Sequence, residues 1–199
     1  DIPEKAQTKT NSNRYHMDAA DQKKVLRGYY ASVSYMDEQV GLLVDKLKEL
    51  DLFDNTIIMF TSDNGAGIGG GSTAEWFDSA KPFVSQRGRI KGTVYEGGIR
   101  VPMIASWPGK IKPGTVTEQP FAGWDVLPTM AEITGQQLPE KVDGLSFLPT
   151  LLGKKNQKQH DVLYWEFHEL KGRVAIRKGD WKGVRYNVAL DPDSTLELY

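Results

Sequence analysis

An acid and an amide, Asp63 and Asn64, follow a run of apolar residues in the stretch FTSDNGAGIGGG, residues 60–71. A carboxylate beside an amide carbonyl offers two hard oxygen ligands, which suit Ca²⁺ or Mg²⁺ rather than a soft metal. Two ligands are only part of a coordination shell, so the others must come from elsewhere. Asp-Asn-Gly is also an ordinary turn sequence. The residues alone favour the turn.

A second stretch, RIKGTVYEGGIRVP at residues 89–102, places Lys91 beside a glycine and Gly97 and Gly98 just before an apolar segment. An ammonium near a divalent cation can hold a tetrahedral oxyanion such as sulfate or phosphate. The glycine pair permits close approach of two backbones. Lysine is more often a solvated surface charge, and glycine pairs mark turns. The glycines match neither the dinucleotide pattern nor the P-loop pattern.

The elements before these residues read as an α/β unit. Apolar residues from Asp21 to Asp51 are spaced by three and four, which predicts an amphipathic helix that Asp18 or Asp21 caps. The same spacing suits a coiled coil, but it stops after about three heptads. The segment Asn55–Thr61 then predicts a strand buried on both faces, as in a parallel sheet. Ligands bind beyond the carboxyl ends of such strands, where the acid and amide lie.

Further along, VPMIASWPG from Val101 predicts a second buried strand. DVLPTMAEITG predicts a helix, with Asp125 near its start and Gly135 just after its end. In VLYWEFHE, apolar and polar residues alternate, which predicts a half-buried strand in which Trp165 belongs to the core. RVAIRKGDWKGVRY predicts two more strands and a core position for Trp181. A small antiparallel sheet is expected there.

Composition excludes several classes of function. The 199 residues carry 25 basic and 26 acidic side chains, for a net charge of -1, so nothing indicates binding to nucleic acid or to an anionic membrane. The sequence contains no cysteine and therefore no disulfide or thiolate ligand. No apolar run approaches the roughly 20 residues that cross a bilayer.

Four blocks of this sequence together carry a family resemblance. They are YYASVSYMDEQVGLLVDKLKELDLFDNTIIMFTSDNG, KGTVYEGGIRVPMIASWPG, WDVLPTMAEITG and RKGDWK. From about Leu26 to Tyr199 the chain resembles the later portion of a type I sulfatase of the alkaline phosphatase superfamily. The resemblance implies an α/β fold: part of an alkaline-phosphatase-like α/β/α sandwich (residues 1–155), followed by a small antiparallel-sheet C-terminal subdomain (residues 156–199).

The resemblance also implies a chemistry. It implies hydrolysis of sulfate esters with one Ca²⁺ ion, Mg²⁺ being the less favoured metal, and a nucleophilic formylglycine made from Cys or Ser. Asp63 and Asn64 match the family's metal ligands, and Lys91 matches the lysine that contacts the sulfate group. These assignments favour metal binding over the turn for the acid-amide pair.

The sequence departs from the family in one respect that matters for catalysis. It lacks the Cys or Ser, x, Pro, Ser, Arg motif that carries the formylglycine, and the paired acidic ligands of the family's N-terminal region. The expectation is that these 199 residues are the C-terminal part of a sulfatase whose N-terminal half is missing, and that they do not turn over substrate alone. The family resemblance favours a periplasmic or extracellular location.

The three histidines differ in context. His16 lies in a polar segment that does not match the family's catalytic histidine, and His160 lies in what reads as a solvated connection. His168 stands beside Glu166 and Glu169 in the region that borders the substrate pocket in this family. A surface histidine and a substrate contact both stay open for His168.

Two other functions remain as alternatives. A phosphoester hydrolase of the same superfamily would share the sheet but would usually need more metal ligands, including histidines. A calcium-binding interaction module would have no chemistry at all. Within the sulfatase interpretation, a sugar sulfate is favoured over an aryl sulfate or choline sulfate as the substrate.

Overall fold

The computed structural model describes residues 19–67, 74, 78–86 and 88–199. The predictions for His16 and Asp18 therefore lie outside the described residues. Two short 3₁₀ turns, Phe53–Asn55 and Gly123–Asp125, accompany the helices and strands. The helices are α1 (Ala19–Glu49), α2 (Glu96–Ile99), α3 (Val126–Thr134) and α4 (Leu148–Leu151). The strands are β1 (Ile58–Thr61), β2 (Met103–Ser106), β3 (Leu163–Phe167), β4 (Arg173–Lys178), β5 (Trp181–Tyr186) and β6 (Glu197–Leu198).

Helix α1 confirms the long helix that the apolar spacing predicts, and it ends within two residues of the predicted position. Its apolar stripe is less buried than an amphipathic pattern implies. Tyr29, Val33 and Leu43 are exposed, whereas Val40 and Leu47 are half-buried. Spacing of three and four therefore predicted the helix correctly, and the described residues cover only part of its apolar face.

Strands β1 and β2 pair antiparallel, so the predicted parallel arrangement of these two strands is wrong. Thr61 at the end of β1 lies opposite Met103 at the start of β2. The prediction of burial on both faces is also wrong within the described residues, because Phe60 and Ile104 are exposed. Antiparallel pairing has a consequence for function: the chain that leaves β1 meets the chain that enters β2 at one edge of the pair.

The C-terminal strands form the small antiparallel sheet that the sequence predicts, in the order β3-β4-β5-β6. Burial alternates along β3 as expected, and Trp165 packs against the buried cluster on the inner face of the sheet. The prediction of a core position for Trp181 is wrong, because 63% of this residue is exposed. Trp181 begins β5 beside the turn after β4, where its side chain lies on the outer face.

The C-terminal sheet packs against the segment that precedes β2. Val94 and Tyr95 form one buried cluster with Ala175 of β4 and Val184 of β5. Burying these side chains stabilises the contact by roughly 25 cal/mol for each Å² of apolar surface removed from water. The sheet is thereby attached to the stretch that contains Lys91. The domain boundary at residues 155 and 156 stays a prediction.

Helix α3 begins after Asp125 and is followed directly by Gly135, as the sequence predicts, and Gly135 has a left-handed φ of 67°. The Asp125 carboxylate is buried and accepts hydrogen bonds from the backbone N–H groups of Ala122 and Leu145, each at 2.8 Å. His160 Nε2 lies 2.8 Å from Asp125 Oδ1, and only 13% of the histidine side chain is exposed. The expectation that His160 lies in a solvated connection is therefore wrong.

Among the described residues, no helix combines the length and the apolar character that crossing a bilayer requires.

Candidate active site at the edge of β1 and β2

Residues 62–67, here called the β1 loop, continue the chain directly from the end of β1. Asp63 is exposed and Asn64 is half-buried. The Ser62 hydroxyl donates to the Asn64 carbonyl at 2.9 Å, and the Asn64 amide nitrogen donates to the Gly65 carbonyl at 2.9 Å. The amide nitrogen is therefore occupied, which leaves Asn64 Oδ1 as the atom that can bind a cation.

Residues 89–98, here called the lysine segment, lie against the β1 loop. The Gly65 amide donates to the Gly98 carbonyl at 2.9 Å, and the Lys91 amide donates to the Ala66 carbonyl at 3.0 Å. Two backbone hydrogen bonds thus join segments that are far apart in sequence. The structure brings the acid-amide pair and Lys91 to the same edge of the β1-β2 pair.

Gly65 makes this approach possible, and Gly97 and Gly98 allow the lysine segment itself to pack tightly. A Cβ atom on Gly65 would lie 1.9 Å from the Gly97 carbonyl oxygen. A Cβ on Gly97 would lie 2.6 Å from the Arg89 carbonyl oxygen, and one on Gly98 would lie 2.5 Å from the Thr93 carbonyl oxygen. Such distances are too short for a real Cβ, so a side chain at Gly65 would push the β1 loop away from the lysine segment, and one at Gly97 or Gly98 would distort the lysine segment itself. The close approach expected from the glycine pair is confirmed.

The Lys91 side chain lies beside the β1 loop. Its Cδ atom is 3.7 Å from the position that a Cβ atom on Gly67 would occupy. Lys91 is exposed. In the part of the chain that the structure describes, neither the Lys91 ammonium nor the Asp63 carboxylate forms an ion pair within 4.0 Å. A cation of the protein and an anionic oxygen donor are therefore both available to a ligand at this edge.

The donor set fits part of a calcium site. One carboxylate and one amide oxygen are the ligands that Ca²⁺ takes in proteins, but Ca²⁺ takes six to eight oxygens. Within residues 19–67, 74, 78–86 and 88–199, no group of three or more His, Cys, Asp or Glu side chains is placed to hold a metal ion. Asp63 and Asn64 can therefore contribute to a shell that other oxygen atoms must complete.

His168 follows β3 and is apart from the contacts just described. Its side chain is 88% exposed, and its Nε2 lies 3.3 Å from Glu166 Oε2. The described hydrogen bonds and ion pairs join His168 to neither the β1 loop nor the lysine segment. A role in substrate binding stays a prediction.

Sequence reasoning missed a network that fastens the lysine segment to the end of the chain. The hydroxyls of Tyr95 and Tyr199 both donate to the Glu197 carboxylate, the second at 2.6 Å. These hydrogen bonds lower the pKa of the Glu197 carboxyl. Arg89 donates to the Tyr199 hydroxyl at 2.7 Å, and its guanidinium lies 3.8 Å from the centre of the Tyr95 ring. No sequence periodicity signals contacts between residues more than 100 positions apart.

Sequence reasoning also missed an ion pair between Glu96 and Lys182, whose Oε1 and Nζ atoms are 2.5 Å apart. Burial by itself would raise the pKa of the Glu96 carboxyl, but the hydrogen bond and charge of Lys182 outweigh it and lower the pKa. Burial lowers the pKa of the Lys182 ammonium, and Glu96 opposes that shift. The sequence did offer one signal of a buried lysine. Lys182 is two residues from Val184 in a strand, so both side chains lie on the same, buried face.

Two family models match this chain. The model described as Sulfatase matches residues 2–136, and the model described as N-sulphoglucosamine sulphohydrolase, C-terminal, matches residues 90–198. The chain belongs to the sulfatase family.

Known sulfatases align over most of the chain. The steryl-sulfatase of Rattus norvegicus is 35% identical over 177 residues, which are 84% of this chain and 30% of the relative. The N-acetylgalactosamine-6-O-sulfatase of Bacteroides thetaiotaomicron is 36% identical over 152 residues, which are 74% of this chain and 29% of the relative. The chain thus spans about 30% of the length of the relatives it matches.

A solved structure supports the fold. The structure of BT4656 in complex with its substrate D-glucosamine-2-N,6-O-disulfate has a TM-score of 0.68 and 26% identity, and the match covers 90% of this chain and 34% of that one. The sulfatase chain is therefore part of an alkaline-phosphatase-like α/β/α sandwich followed by a small antiparallel sheet, as the sequence predicts.

Proposed function

We propose that this chain is the C-terminal portion of a hydrolase of sulfate esters and that its substrate is a carbohydrate sulfate. The observation that carries the proposal is the joining of the β1 loop to the lysine segment by two backbone hydrogen bonds. It holds hard oxygen donors and an ammonium at one edge, which suits an anionic ester. Membership of the sulfatase family supports the reaction, and the names of two sugar-sulfate relatives support the substrate class.

Asp63 and Asn64 are the proposed ligands of Ca²⁺. The Asp63 carboxylate contributes negative charge, and the hydrogen bond from the Asn64 amide nitrogen to Gly65 leaves Asn64 Oδ1 available as a ligand. When bound, Ca²⁺ stabilises negative charge on the sulfuryl oxygens. Asp63 and Asn64 would hold that ion beside Lys91. An anionic group could then bind between the ion and the Lys91 ammonium.

Lys91 is the proposed contact for the sulfate group. Its ammonium donates hydrogen bonds to the sulfuryl oxygens and stabilises the negative charge that redistributes as the ester bond breaks. The Lys91 ammonium lies at the end of a flexible side chain. The backbone of Lys91 must therefore be held in place if the ammonium is to reach the same position in every turnover. The hydrogen bond from the Lys91 amide to the Ala66 carbonyl supplies part of that restraint.

The proposed nucleophile is a formylglycine outside these 199 residues. The sequence holds no cysteine and no Cys or Ser, x, Pro, Ser, Arg motif from which the formylglycine would form. His168 is the proposed contact for a sugar hydroxyl, because an exposed imidazole can donate or accept a hydrogen bond. The activity therefore belongs to the full-length protein.

The test is turnover by the full-length protein, with release of inorganic sulfate measured from glucosamine 6-O-sulfate and 4-nitrophenyl sulfate and, as a comparison, release of inorganic phosphate measured from 4-nitrophenyl phosphate. We expect sulfate release that is fastest with the sugar. Lys91→Ala should lower kcat by roughly a hundredfold or more, the effect of removing one charge-stabilising donor. Lys110→Ala, an exposed lysine after β2, is the control. Faster cleavage of the phosphate ester, or wild-type rates in Lys91→Ala, would overturn the proposal.

A further inference from the structure

The ion pair between Glu96 and Lys182 joins two parts of the chain that are 86 residues apart. Glu96 begins α2 and Lys182 lies in β5, where its side chain is only 8% exposed. The Lys182 ammonium also lies 5.4 Å from the centre of the Trp165 ring. Removing two charges from water is unfavourable unless each has a close partner. The pair is therefore a specific connection between the lysine segment and the C-terminal sheet.

The position of Glu96 ties this connection to the candidate site. Glu96 is followed directly by Gly97 and Gly98, and the Gly98 carbonyl accepts the hydrogen bond from Gly65 in the β1 loop. The Gly97 carbonyl oxygen packs against Gly65. A displacement of Glu96 would therefore move the backbone that contacts the β1 loop.

A second attachment lies on the other side of Lys91. Arg89, two residues before Lys91, donates to the hydroxyl of Tyr199 at 2.7 Å. Tyr199 follows β6 and exchanges two backbone hydrogen bonds with Lys182, at 2.9 and 3.0 Å. Lys91 thus lies in a turn whose two ends, Arg89 and Glu96, are both held by the C-terminal sheet.

We propose that Glu96 and Lys182 are positioning residues for Lys91, so that the C-terminal sheet is a working part of the sulfatase site. The proposal rests on the proposed function. Both ends of the turn must be held because the lysine side chain has several rotatable bonds and the ammonium must meet the sulfuryl oxygens. A displacement of about 1 Å can lower a rate by about a hundredfold.

The main test is a double-mutant cycle in the full-length protein. The paired variant Glu96→Gln/Lys182→Met removes both charges and so avoids leaving one buried charge alone. We expect a fall in kcat of about tenfold or more, whereas the exposed control Lys178→Met keeps the wild-type rate. The deciding comparison is Lys91→Ala, which should lower kcat by roughly a hundredfold in the wild type and by less than about tenfold in the paired variant.

The cycle separates positioning from a merely structural role. If the ion pair only stabilises the fold, the effect of Lys91→Ala stays the same in both backgrounds, and that additivity would overturn the proposal. Lys182→Arg keeps the positive charge beside Glu96 and should retain more of the rate than the paired variant does. Loss of activity in Lys182→Arg as large as in the paired variant, with an unchanged melting temperature, would also contradict it.

Tyr199→Phe supplies the same test at the other end of the turn if the paired variant does not fold. It removes only a hydroxyl, at an exposed residue, and should likewise reduce the effect of Lys91→Ala. Binding of inorganic sulfate, measured by calorimetry, distinguishes the two proposals. If the wild type binds sulfate without hydrolysing esters and the paired variant binds it more weakly, the proposed function fails and positioning stands. Equal sulfate binding by the wild type and the paired variant would contradict the positioning role.

Discussion

The carbonyl oxygen of Gly97 lies 1.9 Å from the position that a Cβ atom on Gly65 would occupy. The two backbones are in contact here, with the Gly65 amide also bonded to the Gly98 carbonyl at 2.9 Å. The geometry of the candidate site therefore depends on a side chain being absent. A glycine in a loop of this kind is as specific a requirement as the charged residues beside it.

Gly65→Ala should separate the β1 loop from the lysine segment, because a methyl group cannot share space with a backbone oxygen. We expect the free energy of unfolding to fall by about 1–3 kcal/mol and turnover by the full-length protein to fall with it. Gly67→Ala is a matched control, since among the described residues its methyl would meet Lys91 Cδ alone, at an ordinary 3.7 Å. Equal stability of the two variants by chemical denaturation would show that the contact is not tight.

Asp63→Ala should weaken calcium binding by the full-length protein at least about tenfold, because a charged ligand is lost outright. Isothermal titration calorimetry measures the dissociation constant directly, and removal of Ca²⁺ with a chelator should lower turnover of the unmodified protein. Asp54→Ala removes an exposed acid from the 3₁₀ turn before β1 and is the control. Unchanged calcium affinity in Asp63→Ala would leave the acid-amide pair as an ordinary turn.

His168→Ala should raise KM for a sulfated sugar by about two- to tenfold, the effect of one lost hydrogen bond to a neutral group. Because the aryl substrate offers no sugar hydroxyl, KM for 4-nitrophenyl sulfate should stay unchanged. Steady-state kinetics with both substrates test this, and Glu169→Ala is the neighbouring exposed control. The substrate role is wrong for His168 if both KM values move together or neither moves.

The Glu197 carboxylate should contribute to stability in a pH-dependent way. Hydrogen bonds from Tyr199 and Tyr95 lower the pKa of this carboxyl below its ordinary value of 4.5. A lowered pKa in the folded state means that the contribution is complete above pH 4.5 and is lost as the pH falls below it. Glu197→Gln should therefore be less stable than the wild type at pH 7, and the difference should shrink below pH 4.

Chemical denaturation at several pH values tests this prediction. Glu118→Gln changes an exposed glutamate and should show little difference from the wild type at either pH. A difference for Glu197→Gln that grows as the pH falls would contradict the assigned direction of the pKa shift.

Local sequence patterns predicted much of the secondary structure. Spacing of three and four residues predicted α1, alternation predicted β3, a turn between two strand-forming runs predicted β4 and β5, and Asp125 and Gly135 marked the ends of α3. These features depend on neighbours within a few positions, which a sequence displays directly. The acid-amide pair and Lys91 became site candidates only through the resemblance of their short motifs to the sulfatase family, because the residues alone favoured a turn and a surface charge.

The remaining features depended on contacts between distant residues. The direction in which β2 pairs with β1, the Asp125–His160 contact and the Glu96–Lys182 ion pair each join segments that no local pattern relates. The exposure of Trp181 likewise depended on which face of the sheet was covered. The sequence by itself determined which chemical groups this protein carries and on which elements. Only the tertiary structure decided which of them meet, because non-local hydrogen bonding and burial select the pairing.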